Sequence, residues 1–459
     1  MKKFIGNKKF YAMVLAIAVP IMIQNGITNF VGLLDNIMVG KVGTEQMSGV
    51  AIVNQLLFVF NLCVFGGVSG AGIFGAQFYG QGNQEGVRNA FRYKLIICGI
   101  ILAVSIMIFL FFGENLISMY LHEGSEVGDI TLALQYGEDY MKIMLIGLIP
   151  FSLIQVYAGT LRETGQTLLP MLAGILSVII NCTLNYILIF GKFGAPKLGV
   201  EGAAIATVIA RFIEAAVVIL WTHIHHQKNE FIVGAYRTMR IPKELFLMIT
   251  IKGMPLLVNE TLWSAGMATL MQCYSNRGIA VVAGYNISST ISNMFNIVFI
   301  AMGSAISIVI GQLLGAGKME EAKDTAGKMI FFSVIVSLVV GILMGTIAHL
   351  FVNIYNTDRE VKHLALWFIR ITAFMMPLQA FLNASYFTLR SGGKTIITFL
   401  FDSCFVWVVS IPAANSLTHL TGLPILWIFL ICQSLDSIKC IIGYILLRKG
   451  IWLNNIVTS

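Results

Sequence analysis

Three carboxylates lie inside long apolar stretches with no basic residue three or four positions away: Asp35 in Gly32-Leu33-Leu34-Asp35-Asn36, Glu260 in Leu257-Val258-Asn259-Glu260, and Asp402 between Phe399 and Phe405. A carboxylate in such a setting needs a reason to be there, because each charge near a bilayer centre costs at least about 2.5 kcal/mol. At a wet cavity it binds Na⁺ or exchanges a proton; at an interface, or hydrogen-bonded to a neighbouring helix, it is only structural. Asn181 and Asn185 sit four apart, on one face of any helix through them, and their amide oxygens are hard ligands suited to Na⁺. Helix packing would explain the same pair. Trp263, one turn beyond Glu260, offers a ring face to an organic cation. Asp35 is therefore the expected Na⁺ or proton site, and Glu260, Trp263 and Asp402 the expected substrate contacts. Glu214 and Asp436 lie three residues from Arg211 and Lys439, the spacing of a self-neutralising helical ion pair. His223, His225 and His226 sit in a polar connection with no obvious carboxylate or cysteine partner, so a solvated loop is expected rather than a metal site. There is no phosphate-binding Gly-x-x-x-x-Gly-Lys-Ser/Thr loop, so ATP is not an expected partner.

The elements that must carry these residues follow from composition. Of 459 residues 57% are hydrophobic and only 11% charged, with a mean hydropathy of +0.83. A soluble domain carries about 25% charge, so most of this chain has lipid as its solvent. That excludes a cytosolic enzyme, and the basic balance of +8 reflects membrane topology, not nucleic-acid binding. Apolar runs predict helices at about 11–38, 48–79, 92–113, 134–159, 168–190, 199–222, 245–274, 280–314, 328–352, 363–389, 396–417 and 424–447. With the N-terminus inside, one continuous alternation puts about 19 basic residues in inner connections and about 6 in outer ones, so both termini are expected in the cytoplasm. The connection from Glu114 to Asp129 holds no Lys or Arg, as an outer loop should. The seven cysteines lie in apolar stretches without metal-type spacing and read as small hydrophobes.

The chain also repeats. A shift of about 235 residues places Pro20 on Pro255 and Gln77-x-x-Gly80-x-Gly82-x-x-Glu85 on Gln312-x-x-Gly315-x-Gly317-x-x-Glu320, and a shift of about 228 places Thr160-Leu161-Arg162-x-x-Gly165 on Thr388-Leu389-Arg390-x-x-Gly393. The expected fold is an all-α integral membrane protein of twelve transmembrane helices in two parallel six-helix lobes, related by a pseudo-twofold axis along the membrane normal. The lobes are expected at 1–222 and 245–459, joined by a cytoplasmic linker at 223–244, with a short cytoplasmic tail. Under the repeat Asn25 faces Glu260 and Leu270 faces Asp35, so each half carries its own acid at a non-equivalent place.

Taken in order, several segments resemble the multidrug and toxic compound extrusion (MATE) family, in its bacterial NorM/DinF-like branches. They are Asp35-x-x-Met38-Val39-Gly40-x-x-Gly43, Gln77-x-x-Gly80-Gln81-Gly82-Asn83, Leu161-Arg162-x-x-Gly165-x-Thr167-x-x-Pro170, and the stretch from Asn181 through Asn185-Tyr186 and Gly191 to Gly199-Val200-x-Gly202-Ala203-Ala204-x-Ala206-Thr207. The resemblance implies a secondary antiporter of the inner (plasma) membrane, not an enzyme, that expels drugs and organic cations in exchange for Na⁺ or H⁺ by alternating access, without any other cofactor. By position it assigns Asp35, Asn181 and Thr207 to a cation-coupling site with Asn185 beside them, and Glu260, as the acid of the seventh helix, to cation coupling as well as to substrate. Asn185 stands where many bacterial members have Asp, and Gln379 near where some have a tenth-helix acid, which counts against proton coupling through the fifth helix; Asp402 would compensate in the second half. The implied partners are small cationic amphiphiles and membrane lipid, with the protein acting as a monomer. The alternative is a lipid-linked precursor flippase or polysaccharide exporter of the same superfamily, which would want a cationic cavity. Only Lys142, Arg211, Lys252, Arg370 and Lys439 are intramembrane cations.

Overall fold

The computed structural model describes residues 4–120, 130–355 and 357–458. Much of the acidic connection between Glu114 and Asp129 lies outside these residues. Among the described residues, twelve helices are long and apolar enough to cross a membrane. They are α1 (Lys8–Gly40), α2 (Thr44–Gln81), α3 (Gln84–Ser118), α4 (Ile130–Glu163), α5 (Leu168–Phe190), α6 (Gly199–Ile224), α7 (Lys243–Ser275), α8 (Ile279–Gly315), α9 (Met319–Ile354), α10 (Arg359–Ser391), α11 (Thr395–Leu420) and α12 (Ile425–Lys449). The shortest has 23 residues, which at 1.5 Å per residue exceeds the ~30 Å hydrocarbon core. No strand forms among the described residues.

The repeated motifs are helix stops and helix kinks. Gly82 and Gly317 adopt φ of 77° and 74°, and Gly165 and Gly393 adopt 82° and 73°. At each, the next residue's N–H reaches back to the last turn: Asn83 to Phe78 O at 2.9 Å, Lys318 to Leu313 O at 3.0 Å, Gln166 to Leu161 O at 2.7 Å and Lys394 to Leu389 O at 3.2 Å. Only glycine enters this left-handed geometry without Cβ strain, which is why the motif repeats it. Prolines interrupt the first and fourth helix of each half, at Pro20 and Pro150 and again at Pro255 and Pro377.

Grouped by packing, the chain forms two compact units. One holds the chain up to Met22, Ala76–Asn83 and everything from Thr250 onward; the other holds Ile23–Gly75 and Gln84–Ile249. In the first, Val14 and Ala18 of α1 join a core with Met302, Ile306 and Ile310 of α8, Phe387 of α10 and Trp452. The end of α2 crosses α8 so closely that a Cβ on Gly80 would overlap the Gln312 carbonyl and one on Gly315 the Gln77 carbonyl. The two halves of the repeated Gln-x-x-Gly motif thus meet reciprocally. The Gln77 amide then ties down the chain's last residues, donating to Ser391 O at 2.8 Å and Asn454 O at 3.2 Å and accepting from Ile456 N at 2.9 Å.

In the second unit α6 packs on α4 and α5, and two expectations are corrected there. The connection from His223 is solvated only in part: His223 and His226 are exposed, as expected, but the chain after them packs down. Phe231, Ile232 and Ala235 are buried, and Arg92 of α3 donates from Nε to Ala235 O at 2.8 Å and from Nη2 to Gly234 O at 2.9 Å. The guanidinium satisfies carbonyls that a turn leaves open, so the linker folds as a strap. His223 contacts the Tyr157 hydroxyl at 3.1 Å and stacks on Tyr236; no metal-binding group of His, Cys, Asp or Glu exists among the described residues. Lys94, which the charge count places in an inner connection, is completely buried and donates to Glu163 at 2.5 Å and Thr160 at 3.1 Å. Gly72 and Gly75 of α2 leave the room that the Glu163 carboxylate occupies.

Candidate functional site

Asp35 lies near the end of α1, and its carboxylate accepts a hydrogen bond from Asn185 Nδ2 of α5 at 2.5 Å. The same Nδ2 donates to Asn181 Oδ1 at 3.2 Å, one turn earlier on α5. Asn181 Nδ2 in turn donates to the Thr207 hydroxyl of α6 at 3.1 Å, and that hydroxyl donates to Ala203 O at 3.0 Å. Asp35, Asn185, Asn181 and Thr207, chosen from sequence and from the family resemblance, therefore form one continuous chain across three helices.

Small residues make this contact possible. A Cβ on Gly202 would come within 2.8 Å of the Leu188 carbonyl, and Ala203, Ala206 and Ala210 are buried along the same helix. Close approach of α5 and α6 brings a short Thr side chain within reach of an Asn. Asn185 is fully buried, and its Oδ1 has no hydrogen-bond partner. A buried amide oxygen without a donor is costly unless something electropositive comes to it. Tyr140 of α4 and Arg211 of α6 lie within electrostatic reach of Asp35, and the Tyr140 hydroxyl bonds Asn54 Oδ1 of α2 at 3.3 Å. Neither Tyr140 nor Asn54 carries a signal in the sequence that sets it apart from ordinary core residues.

The second group is built on α7 and α11. Asn259, 1% exposed, donates to Asp402 Oδ2 at 3.0 Å, and its Oδ1 accepts from the Ser403 hydroxyl at 2.7 Å and the Ser403 N–H at 3.3 Å. Neighbouring residues on a regular helix point about 100° apart; here α11 is wound as a π-helix over Leu400–Cys404, and both Asp402 and Ser403 engage one amide. Lys439 of α12 lies within electrostatic reach of Asp402 but pairs with Asp436, so the acid that lacks a partner in sequence has the Asn259 amide as its partner in space. Glu260, beside Asn259, makes no hydrogen bond or ion pair among the described residues; Arg390 of α10 and Asp402 are its charged neighbours. Trp263 is 37% exposed and has no cation over its ring among the described residues. Glu260 and Asp402 are thus within electrostatic reach of one another, and Trp263 follows Glu260 by one turn of α7.

The expected local ion pairs divide. Lys439 and Asp436 meet at 2.8 Å, and Gln379 donates to the other Asp436 oxygen at 2.6 Å. Arg211 and Glu214 form no ion pair; Arg211 instead donates to Gly147 O at 3.4 Å and covers the Phe151 ring. Lys142 is exposed and paired with Glu138 and Asp139 at 3.2 and 3.6 Å, so it is not an isolated intramembrane cation.

The MatE family model matches residues 20–187 and 255–414. The chain belongs to the MATE family. The two matched segments are offset by about 235 residues at their starts, as the internal repeat is. The Thermotoga maritima protein named "Probable multidrug resistance protein NorM" is 24% identical over 91% of this chain and 88% of its own length. Multidrug resistance protein MdtK of Pectobacterium atrosepticum is 24% identical over 87% of this chain and 85% of its own. A crystal structure of a mutant form of the Vibrio cholerae MATE transporter VcmN superposes with a TM-score of 0.87 at 16% identity, covering 100% of both chains. This MATE chain is accordingly a multi-pass, all-helical membrane protein of a transporter family and not an enzyme. The alignment of fold with other MATE proteins extends over the whole length, so both hydrogen-bonded groups lie within the family's architecture.

Proposed function

We propose that the protein is a secondary antiporter of the inner (plasma) membrane, with both termini cytoplasmic, that exports small organic cations in exchange for Na⁺. The observation that carries the reading is the chain of Asp35, Asn185, Asn181 and Thr207 with the orphaned Asn185 Oδ1 inside it. One carboxylate and neutral amide and hydroxyl oxygens are the donor set that a hard monovalent cation takes, and Asn185 Oδ1 is an acceptor in need of one. Na⁺ entering there would draw both Asn185 Oδ1 and Asp35 toward itself and break the Asn185–Asp35 hydrogen bond. Ion binding would thereby change how α1 and α5 are held, which is the differential contact that coupling requires. Glu260 and Asp402 supply negative charge for a cationic substrate, acting on a monomer. The multidrug resistance names of the relatives support export of varied small molecules by this chain.

The test is efflux of a cationic dye from proteoliposomes of the purified protein, with a Na⁺ gradient and a pH gradient imposed separately. Dye flux should follow the Na⁺ gradient and disappear in Asp35→Asn. Flux driven by the pH gradient alone would overturn Na⁺ coupling, and flux unchanged in Asp35→Asn would overturn the site.

A further inference from the structure

Arg370 is an intramembrane cation that neither hydrogen-bonded group uses. It lies on α10 eleven positions after Arg359, exposed, and none of the ion pairs formed by the described residues includes it. A helical side chain leans toward the helix N-terminus, so Arg370 points back along α10 toward Trp367. Its guanidinium sits over that ring, 5.2 Å from the centroid, and the Trp367 indole N–H donates to His363 at 3.1 Å. Trp367 is 41% exposed; a half-exposed Trp with a polar neighbour near a helix end marks the headgroup level of a bilayer. Arg370 thus roots in the apolar span and delivers its charge to that level.

Beside it runs a groove of about 410 Å³ between α9 and α10. Its floor is Gly341 and Gly345, whose missing side chains let α9 press on α10: a Cβ on Gly341 would come within 2.6 Å of Ala373 O. Its walls are Leu338, Ile342, Phe374 and Pro377, and Phe374 and Ile342 are 77% and 61% exposed. Because α9 and α10 are consecutive and antiparallel, Gly345 and Arg370 share one end of the groove while Leu338 and Pro377 share the other, about 10 Å deeper along α10. One end is cationic and at headgroup level; the rest is apolar and runs into the bilayer.

We infer that this groove is a binding site for an anionic glycerophospholipid, its phosphate on Arg370 and one acyl chain along Gly345, Ile342 and Leu338. Arginine pairs with phosphate through two parallel N–H donors, and with no acid paired to Arg370 that capacity is open. The same positive charge disfavours the cationic substrates of the transport reading, so this is a separate site, and it is tested by binding, not by transport.

The experiment is native mass spectrometry of the delipidated full-length protein titrated with phosphatidylglycerol or phosphatidylcholine of identical acyl chains. One phosphatidylglycerol should bind about tenfold more tightly than phosphatidylcholine, whose phosphate is the same but whose choline ammonium cancels the net negative charge and repels Arg370. Arg370→Gln should abolish that preference and Arg370→Lys should keep most of it. Gly345→Leu, whose Cβ meets only ordinary contact with Ala373 Cβ at 3.6 Å, fills the groove with the charge intact and should weaken phosphatidylglycerol about as much as Arg370→Gln. Equal binding of the two lipids by the native protein would overturn the site, as would a preference that survives Arg370→Gln. Phosphatidylglycerol binding that survives Gly345→Leu would overturn the groove as its seat, and a mass doubling that phosphatidylglycerol does not displace would assign the surface to a second copy instead.

Discussion

The two halves of the repeat solve the same problem with the partners exchanged. In the first, the acid is on the opening helix (Asp35 of α1) and the amides on the fifth (Asn181 and Asn185 of α5). In the second, the amide is on the opening helix (Asn259 of α7) and the acid on the fifth (Asp402 of α11). One difference in saturation separates them. Asn259 uses both ends of its amide, on Asp402 and on Ser403, whereas Asn185 leaves Oδ1 without a donor. A saturated group holds two helices together; an unsaturated one has work left for a ligand. Elsewhere the halves differ in kind: the buried Lys94–Glu163 pair of the first half falls, under the repeat, on buried Met329 and Ser391 in the second.

That last contrast is the sharpest to break. Lys94→Met alone should destabilise the protein by about 3–5 kcal/mol, because it strands a buried carboxylate. The double variant Lys94→Met, Glu163→Ser copies the second half's solution and should recover most of the loss. Thermal unfolding in detergent measures both, and a double variant no better than the single would show that the halves are not interchangeable there.

Next in size is the effect on coupling. Asp35→Asn should weaken Na⁺ binding by about 10- to 100-fold, the loss of one charged ligand. Asp402→Asn should leave Na⁺ affinity within about twofold, since its amide partner is already saturated. Calorimetric Na⁺ titration of the two variants distinguishes the groups; equal losses would mean that the exchange of partners carries no division of labour.

The stability ranking should run the other way. Asn259→Ala removes the partner of both Asp402 and Ser403 and should cost about 1–3 kcal/mol, while Asn185→Ala, which removes the donor to Asp35 and Asn181 but relieves a buried oxygen that had no donor, should cost less. The smallest change is Asn185→Asp, which places a second carboxylate beside Asp35 and offers a proton site. Dye efflux by this variant should gain a response to an imposed pH gradient while keeping part of its Na⁺ response, and a response to Na⁺ alone would argue that position 185 does not select the ion.

Much of this was legible in the chain because it depends on local or additive physics. Twelve apolar runs predict twelve spanning helices, and their ends shift by up to nine residues, as at Met319 of α9, because polar first turns such as 84–92 extend helices beyond the lipid-soluble part. Asp35, Glu260 and Asp402 stand out because isolated charge is expensive in hydrocarbon. Spacing failed where the decisive distance lay between helices. Arg211 and Glu214 have helical ion-pair spacing, yet Arg211 finds a carbonyl and a ring on α4. Lys94 reads as a connection residue until α4 supplies Glu163. The packed part of the linker reads as solvent-exposed because its polarity is visible and the Arg92 that donates to its carbonyls is about 140 residues away.

The sequence by itself determined the solvent, the number of spans, the repeat and which side chains are too costly to be idle, since hydropathy, charge and helix-stopping glycines act within a few residues. Only the tertiary structure decided which amide each acid meets, which amide oxygen stays unsatisfied and which cations find an acid. Those outcomes depend on the rotation and approach of whole helices, set by where small residues such as Gly202, Gly341 and Gly345 let backbones come close.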